Sequence, residues 1–68
     1  MIILKLKEYI DEKGITRYEI SKRSGISFAI IDRYYKNKII RYDSDTLDRI
    51  CTTLGCGISD IIEYISLK

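Results

Sequence analysis

Apolar residues recur along this chain at helical spacing, in stretches bounded by residues that start or stop a helix. Over residues 3–13, Ile3, Leu6 and Ile10, with Tyr9 one step round, oppose Lys5, Lys7, Glu8, Asp11 and Glu12, which predicts an amphipathic helix. Gly14 ends it, and the apolar Met1-Ile2-Ile3-Leu4 leaves open an extended lead-in. Thr16 and Glu19 then stand in the S/T-x-x-E spacing of a capping box, so a second helix starts at Arg17 and runs to about residue 23. Ile15 and Ile20 take the staple positions on either side of that cap. Gly25 falls where a left-handed residue stops the helix. Ser27, two residues on, caps a third helix over about 28–36, with Ile26, Ile31 and Tyr34 on one face and the small Ser21 letting the two helices come close.

Asn37 is the residue most able to turn left-handed after the third helix, and residues 39–42 form a loop. Asp43 or Ser44 caps a fourth helix, Asp45 adds negative charge to its first turn, and Leu47, Ile50, Cys51 and Leu54 make its apolar stripe. Gly55 closes it. Cys56 and Gly57 link it to a fifth helix over about 58–65, with Ile58, Ile61, Ile62 and Ile65 inside and Asp60 near its positive end. The expectation is all-α: one compact five-helix domain over residues 1–68, with a helix pair hinged at Ser24-Gly25-Ile26.

Size and composition agree. A chain of 68 residues makes one small domain that buries only about 60% of its unfolded surface, and a second domain is excluded. Apolar residues form 46% of it and are spread throughout, which argues against disorder. No apolar run approaches the roughly 20 residues of a membrane span, and Met-Ile-Ile-Leu is too brief for a signal peptide, so a soluble cytoplasmic protein is expected. The net charge of +2 hides an uneven distribution. Lys13, Arg17, Lys22, Arg23, Arg33, Lys36, Lys38 and Arg41 face only Glu19 and Asp32, a local balance of +6, while residues 42–68 carry −3 and residues 1–12 carry −1. Such a dipole suits a polyanion approaching the side of the helix pair.

Catalysis has little to work with. The chain has no histidine, its carboxylates fall at caps or exposed faces, and no base accompanies its serines. Cys51 and Cys56 are too few for a structural zinc site and fall where small buried hydrophobes are wanted, so no metal or cofactor is expected. Of six tyrosines, Tyr9, Tyr18, Tyr34 and Tyr64 lie at or beside core positions. Tyr35 and Tyr42 are better placed for a nucleic-acid side, where a phenolic hydroxyl can bond a phosphate.

The set Thr16, Glu19, Ile20, Ser21, Gly25, Ile26, Ser27, Ile31 and Tyr34 resembles the helix-turn-helix of the phage repressor and Cro type, also called lambda-repressor-like. Tyr35, Arg41, residues 46–51, residues 54–56 and residues 60–64 resemble its small single-domain bacterial regulators. The resemblance implies a transcriptional regulator, a repressor, that binds double-stranded DNA in the bacterial or phage nucleoid and needs no small-molecule ligand. Its third helix would enter the major groove with Ser27, Phe28, Ala29, Asp32 and Arg33 facing bases. Thr16, Arg17, Tyr35, Lys36, Lys38 and Arg41 would meet phosphates. Arg33 can chelate a guanine, Asp32 can accept from cytosine, and Phe28 or Ala29 can touch a thymine methyl. Relatives usually carry a polar or basic residue at the position of Phe28, and Asp32 brings a negative charge towards phosphates. Relatives also commonly bind as two-fold dimers, a contact that Tyr64, Ile65 and Leu67 in the C-terminal helix could supply. The competing expectation is a protein-interaction module on the same fold, with Phe28 and Tyr35 as aromatic anchors.

Overall fold

A computed structural model describes residues 1–66 of the chain. Strand β1 (Ile2–Leu4) leads into helices α1 (Leu6–Lys13), α2 (Arg17–Ser24) and α3 (Phe28–Tyr35). After a loop come α4 (Ser44–Leu54), a 3₁₀ turn (Ile58–Asp60) and strand β2 (Ile62–Tyr64). Helix α2 packs on both α3 and α4, and α1 packs on α3. One core unites them: Leu4, Leu6, Ile10, Ile20, Ile26, Ile31, Tyr34, Ile50 and Ile61 are all buried.

The helix boundaries follow the local chemistry. Gly14, Gly25 and Gly55 each close a helix in the left-handed conformation, and Asn37 alone among the described non-glycine residues has positive φ, at 57°. Asp43, rather than Ser44, caps α4, its carboxylate accepting from the Thr46 N–H at 3.0 Å. Of the α4 stripe only Ile50 is fully buried, with Leu47, Cys51 and Leu54 half-buried against the core.

The two ends of the chain correct the all-α, five-helix expectation. There are four α-helices among the described residues, and a two-stranded antiparallel sheet joins the ends, with Ile2 opposite Tyr64, Ile3 opposite Glu63 and Leu4 opposite Ile62. Helix α1 accordingly begins at Leu6 and not at residue 3, and the extended lead-in is β1. The stretch 58–65 is not a helix: it makes one 3₁₀ turn, in which Asp60 Oδ2 accepts from the Gly57 N–H at 2.9 Å, and then extends. The physical reason is mutual. Both ends are short and rich in β-branched isoleucine, which suits a pleated strand, and each gives the other's backbone its partners. Lys5 N–H donates to the Ile61 carbonyl at 2.6 Å and Ile65 N–H to that of Met1 at 2.7 Å. Only Ile61 of the expected inner positions is fully buried; Ile62 and Ile65 are half-buried and Ile58 is 50% exposed. A dimer contact through a C-terminal helix therefore has no helix to use, and Leu67, expected to share in it, lies outside the described residues.

Asn37 ties this sheet to the helix pair. Its Oδ1 accepts from the Leu4 N–H at 3.1 Å, so the turn that ends α3 also holds β1.

Candidate nucleic-acid interface

The hinge between α2 and α3 is fixed by three side-chain devices. Thr16 Oγ1 accepts from the Glu19 N–H at 3.1 Å while Glu19 Oε1 accepts from the Thr16 N–H at 3.2 Å, so the capping box is complete. Ser21 Oγ donates to the Ile26 carbonyl at 2.6 Å, and Ser24 Oγ accepts from the Ile26 N–H at 3.2 Å. Ile26 is thereby gripped at both backbone groups as its side chain enters the core. Ser27 Oγ accepts from the Ile30 N–H at 3.4 Å and caps α3. These bonds determine how α3 lies across α2.

Helix α3 turns Ile31 and Tyr34 inward. Its outer side carries Phe28 (46% exposed), Ala29, Ile30, Arg33 and Lys36, with Ser27 exposed at its N-terminal end. Beyond it, Lys38 and Arg41 are exposed, and with Arg33 and Ile40 they line a recess of about 420 Å³. Three positive charges on one recess make a strong local field for an anion. None of Arg33, Lys38 and Arg41 is ion-paired among the described residues.

Other expected site residues are engaged inside the protein. Arg17 Nη1 pairs with Asp32 Oδ1, and Lys36 Nζ lies 3.1 Å from Asp32 Oδ2. Asp32, expected at the base-facing surface, is half-buried between those cations, and the Lys36 hydrogen bond followed by that from Arg17 holds its carboxyl below the usual carboxylate range. The Arg17 guanidinium also lies over the rings of Tyr35 (4.5 Å) and Phe28 (5.7 Å). The Tyr35 hydroxyl, expected at a phosphate, donates to Asp11 at 2.9 Å, and Asp11 pairs with Lys7 at 2.8 Å. Those bonds, first from Lys7 and then from Tyr35, lower the Asp11 pKa as well. Thr16 is exposed beside this group, its hydroxyl turned to its own cap.

The remaining tyrosines sort differently from the sequence expectation. Tyr34 is buried and Tyr9 half-buried, whereas Tyr18 and Tyr64 are exposed. Tyr42, expected towards nucleic acid, packs its ring edge-on against Tyr34 with centroids 6.3 Å apart. Arg23 Nη2 donates to the Thr53 carbonyl at 3.3 Å, which ties α2 to the end of α4. Two exposed apolar residues on this surface were missed: Ile30 on α3 and Ile40, 94% exposed between Lys38 and Arg41. The signal for Ile40 was an isoleucine inside a basic loop with no helical register to bury it.

Cys51 and Cys56 are free, half-buried thiols. Burial, and then Cys51 beside it, pushes the Cys56 thiol up to about 11, so it stays protonated at neutral pH. No group of three or more His, Cys, Asp or Glu residues able to hold a metal occurs among the described residues. None of their helices is long and apolar enough to cross a membrane.

Comparison with protein families matches residues 5–66 to the Cro/C1-type HTH DNA-binding domain. Comparison with curated proteins and with solved structures gives no match. The family match spans α1 through β2, and so includes the hinge, the outer side of α3 and the basic recess.

Proposed function

The chain belongs to the Cro/C1-type helix-turn-helix DNA-binding family, and on that premise we propose that it is a sequence-specific transcriptional repressor that inserts α3 into the major groove of duplex DNA. The observation that carries this reading is the convergence of Arg33, Lys38 and Arg41 on one recess beside the exposed side of α3. A single α-helix fits the major groove, and its N-terminal residues reach base edges when the preceding helix crosses the backbone. Ser27, Phe28, Ala29 and Arg33 then face bases, with Arg33 as the guanine reader and Phe28, Ala29 and Ile30 as apolar contacts for thymine methyls. Lys38 and Arg41 grip phosphates on the exit from α3, while Thr16, Arg17 and Lys36 meet the backbone at the start of α2 and the far end of α3.

The same reading has two copies on successive major grooves about 34 Å apart. With no helix at residues 58–65, the copies would meet at the sheet, where Ile2 and Tyr64 are exposed opposite one another.

Titration into mixed-sequence duplex at two salt concentrations tests the proposal. Each phosphate contact contributes about −0.9 to the slope of log K against log salt, so Lys38 and Arg41 alone give about −1.8, and Arg17 and Lys36 carry the slope towards about −3.6. Binding that ignores salt, or none at all, favours the rival reading, in which exposed Phe28 and Ile30 dock a protein.

A further inference from the structure

Asp32 divides its carboxylate between two cations that stand on the DNA-facing side. Arg17 comes from the first turn of α2 and Lys36 from the residue that closes α3, one on each oxygen. The Arg17 guanidinium also lies over two aromatic rings, 4.5 Å from the Tyr35 centroid and 5.7 Å from that of Phe28. Tyr35 is in turn anchored through its hydroxyl to Asp11 and so to Lys7. Arg17 therefore does not wait in solvent; it is bound to an oxyanion already. The fork of donors that grips a carboxylate is the one that grips a phosphate.

We propose that Asp32 is an intramolecular competitor for phosphate, which holds Arg17 and Lys36 in the free protein and gives them up as DNA binds. The inference rests on the DNA-binding reading above. Its consequence is a division of labour. A phosphate contact by Arg17 or Lys36 replaces one ion pair with another and leaves Asp32 facing the backbone, so its net contribution is small. Contacts by Arg33, Lys38 and Arg41 meet no such competition, since none has a carboxylate partner among the described residues. Affinity for arbitrary duplex is thereby lowered, and a site whose bases suit α3 is favoured over one that offers phosphates alone. Asp32 is on this account a specificity-determining residue that touches no base.

The test compares the Kd for mixed-sequence duplex among the unaltered protein, Asp32→Asn, Asp32→Glu, Arg17→Gln with Lys36→Gln, and that pair combined with Asp32→Asn. Release of the two cations makes Asp32→Asn bind about fivefold tighter, while Asp32→Glu, which keeps the charge, stays within about twofold of the unaltered protein. The gain from Asp32→Asn falls by at least about half when Arg17 and Lys36 are already neutral, because coupled residues are not additive. A gain of equal size in that background reflects long-range charge alone and overturns the proposal; so does no gain. The unaltered protein supplies a check that needs no variant: the Asp32 carboxyl pKa, read by ¹³C NMR, rises on saturation with duplex, whereas a value that stays depressed shows the pair intact in the complex and overturns the proposal. If no protein in the set binds duplex with a dependence on salt, it is the DNA-binding reading itself that fails.

Discussion

Arg33 and Lys38 are both exposed cations on the same recess, yet they stand in different places: Arg33 on the outer side of α3, Lys38 beyond its end. Arg33→Ala is expected to relax preference at one base pair, at a cost of about 1–3 kcal/mol on the preferred sequence, while Lys38→Ala weakens every sequence alike. Selection of bound duplexes from a random pool reads both; identical profiles would show that position along α3 does not separate reading from gripping. At this scale the sequence revealed the charges but not their partners. Asp32 and Lys36 stand four residues apart, a spacing at which helical side chains meet, so the signal for that pair is present in the sequence, although both residues read there as DNA contacts. The Arg17 pair and the Tyr35 bond to Asp11 span 15 and 24 residues, and only the packing of α1, α2 and α3 brings them together. Hence a tyrosine and an aspartate that looked free for DNA prove to be tied inward.

Elements were legible wherever a single residue type meets a backbone need. The Thr16–Glu19 box, Ser27, and the left-handed Gly25 and Asn37 all stand where their chemistry predicts. Gly25→Ala tests the hinge. An added Cβ would lie 3.7 Å from Arg49 Nη1, an ordinary contact, so the cost is conformational. At φ +77° that cost is about 1–2 kcal/mol, visible as a lower urea midpoint with unchanged slope. An unmoved midpoint would mean that the hinge does not need the left-handed turn. The chain ends were not legible in this way. Isoleucines at 58, 61, 62 and 65 fit one helical face, and the same residues suit a strand; the deciding partner, Ile2–Leu4, lies some sixty residues away in the sequence. A short apolar run carries no information about a strand it has not yet met.

Across the whole molecule the ion pairs couple stability to pH. Asp11 and Asp32 both have pKa values lowered by their cationic partners. A group whose folded pKa lies below its unfolded value stabilises the fold above the unfolded pKa and loses that contribution as pH falls through the folded one. Thermal midpoints should therefore hold from neutral pH down to the usual carboxylate range and fall below it, and Asp32→Asn should flatten part of that fall. A midpoint indifferent to acid would contradict the ion-pair geometry of α1, α2 and α3. The charge asymmetry of the chain is also a property of this scale, and it was legible because the eight basic residues between Lys13 and Arg41 fall in one contiguous segment of sequence. That one face of the molecule meets DNA is most directly tested by following the backbone amide signals of the ¹⁵N-labelled protein as duplex is added. The account predicts shifts concentrated in residues 16–19 and 27–41, with α4 unmoved; shifts centred on residues 43–61, or spread evenly over the chain, would contradict it.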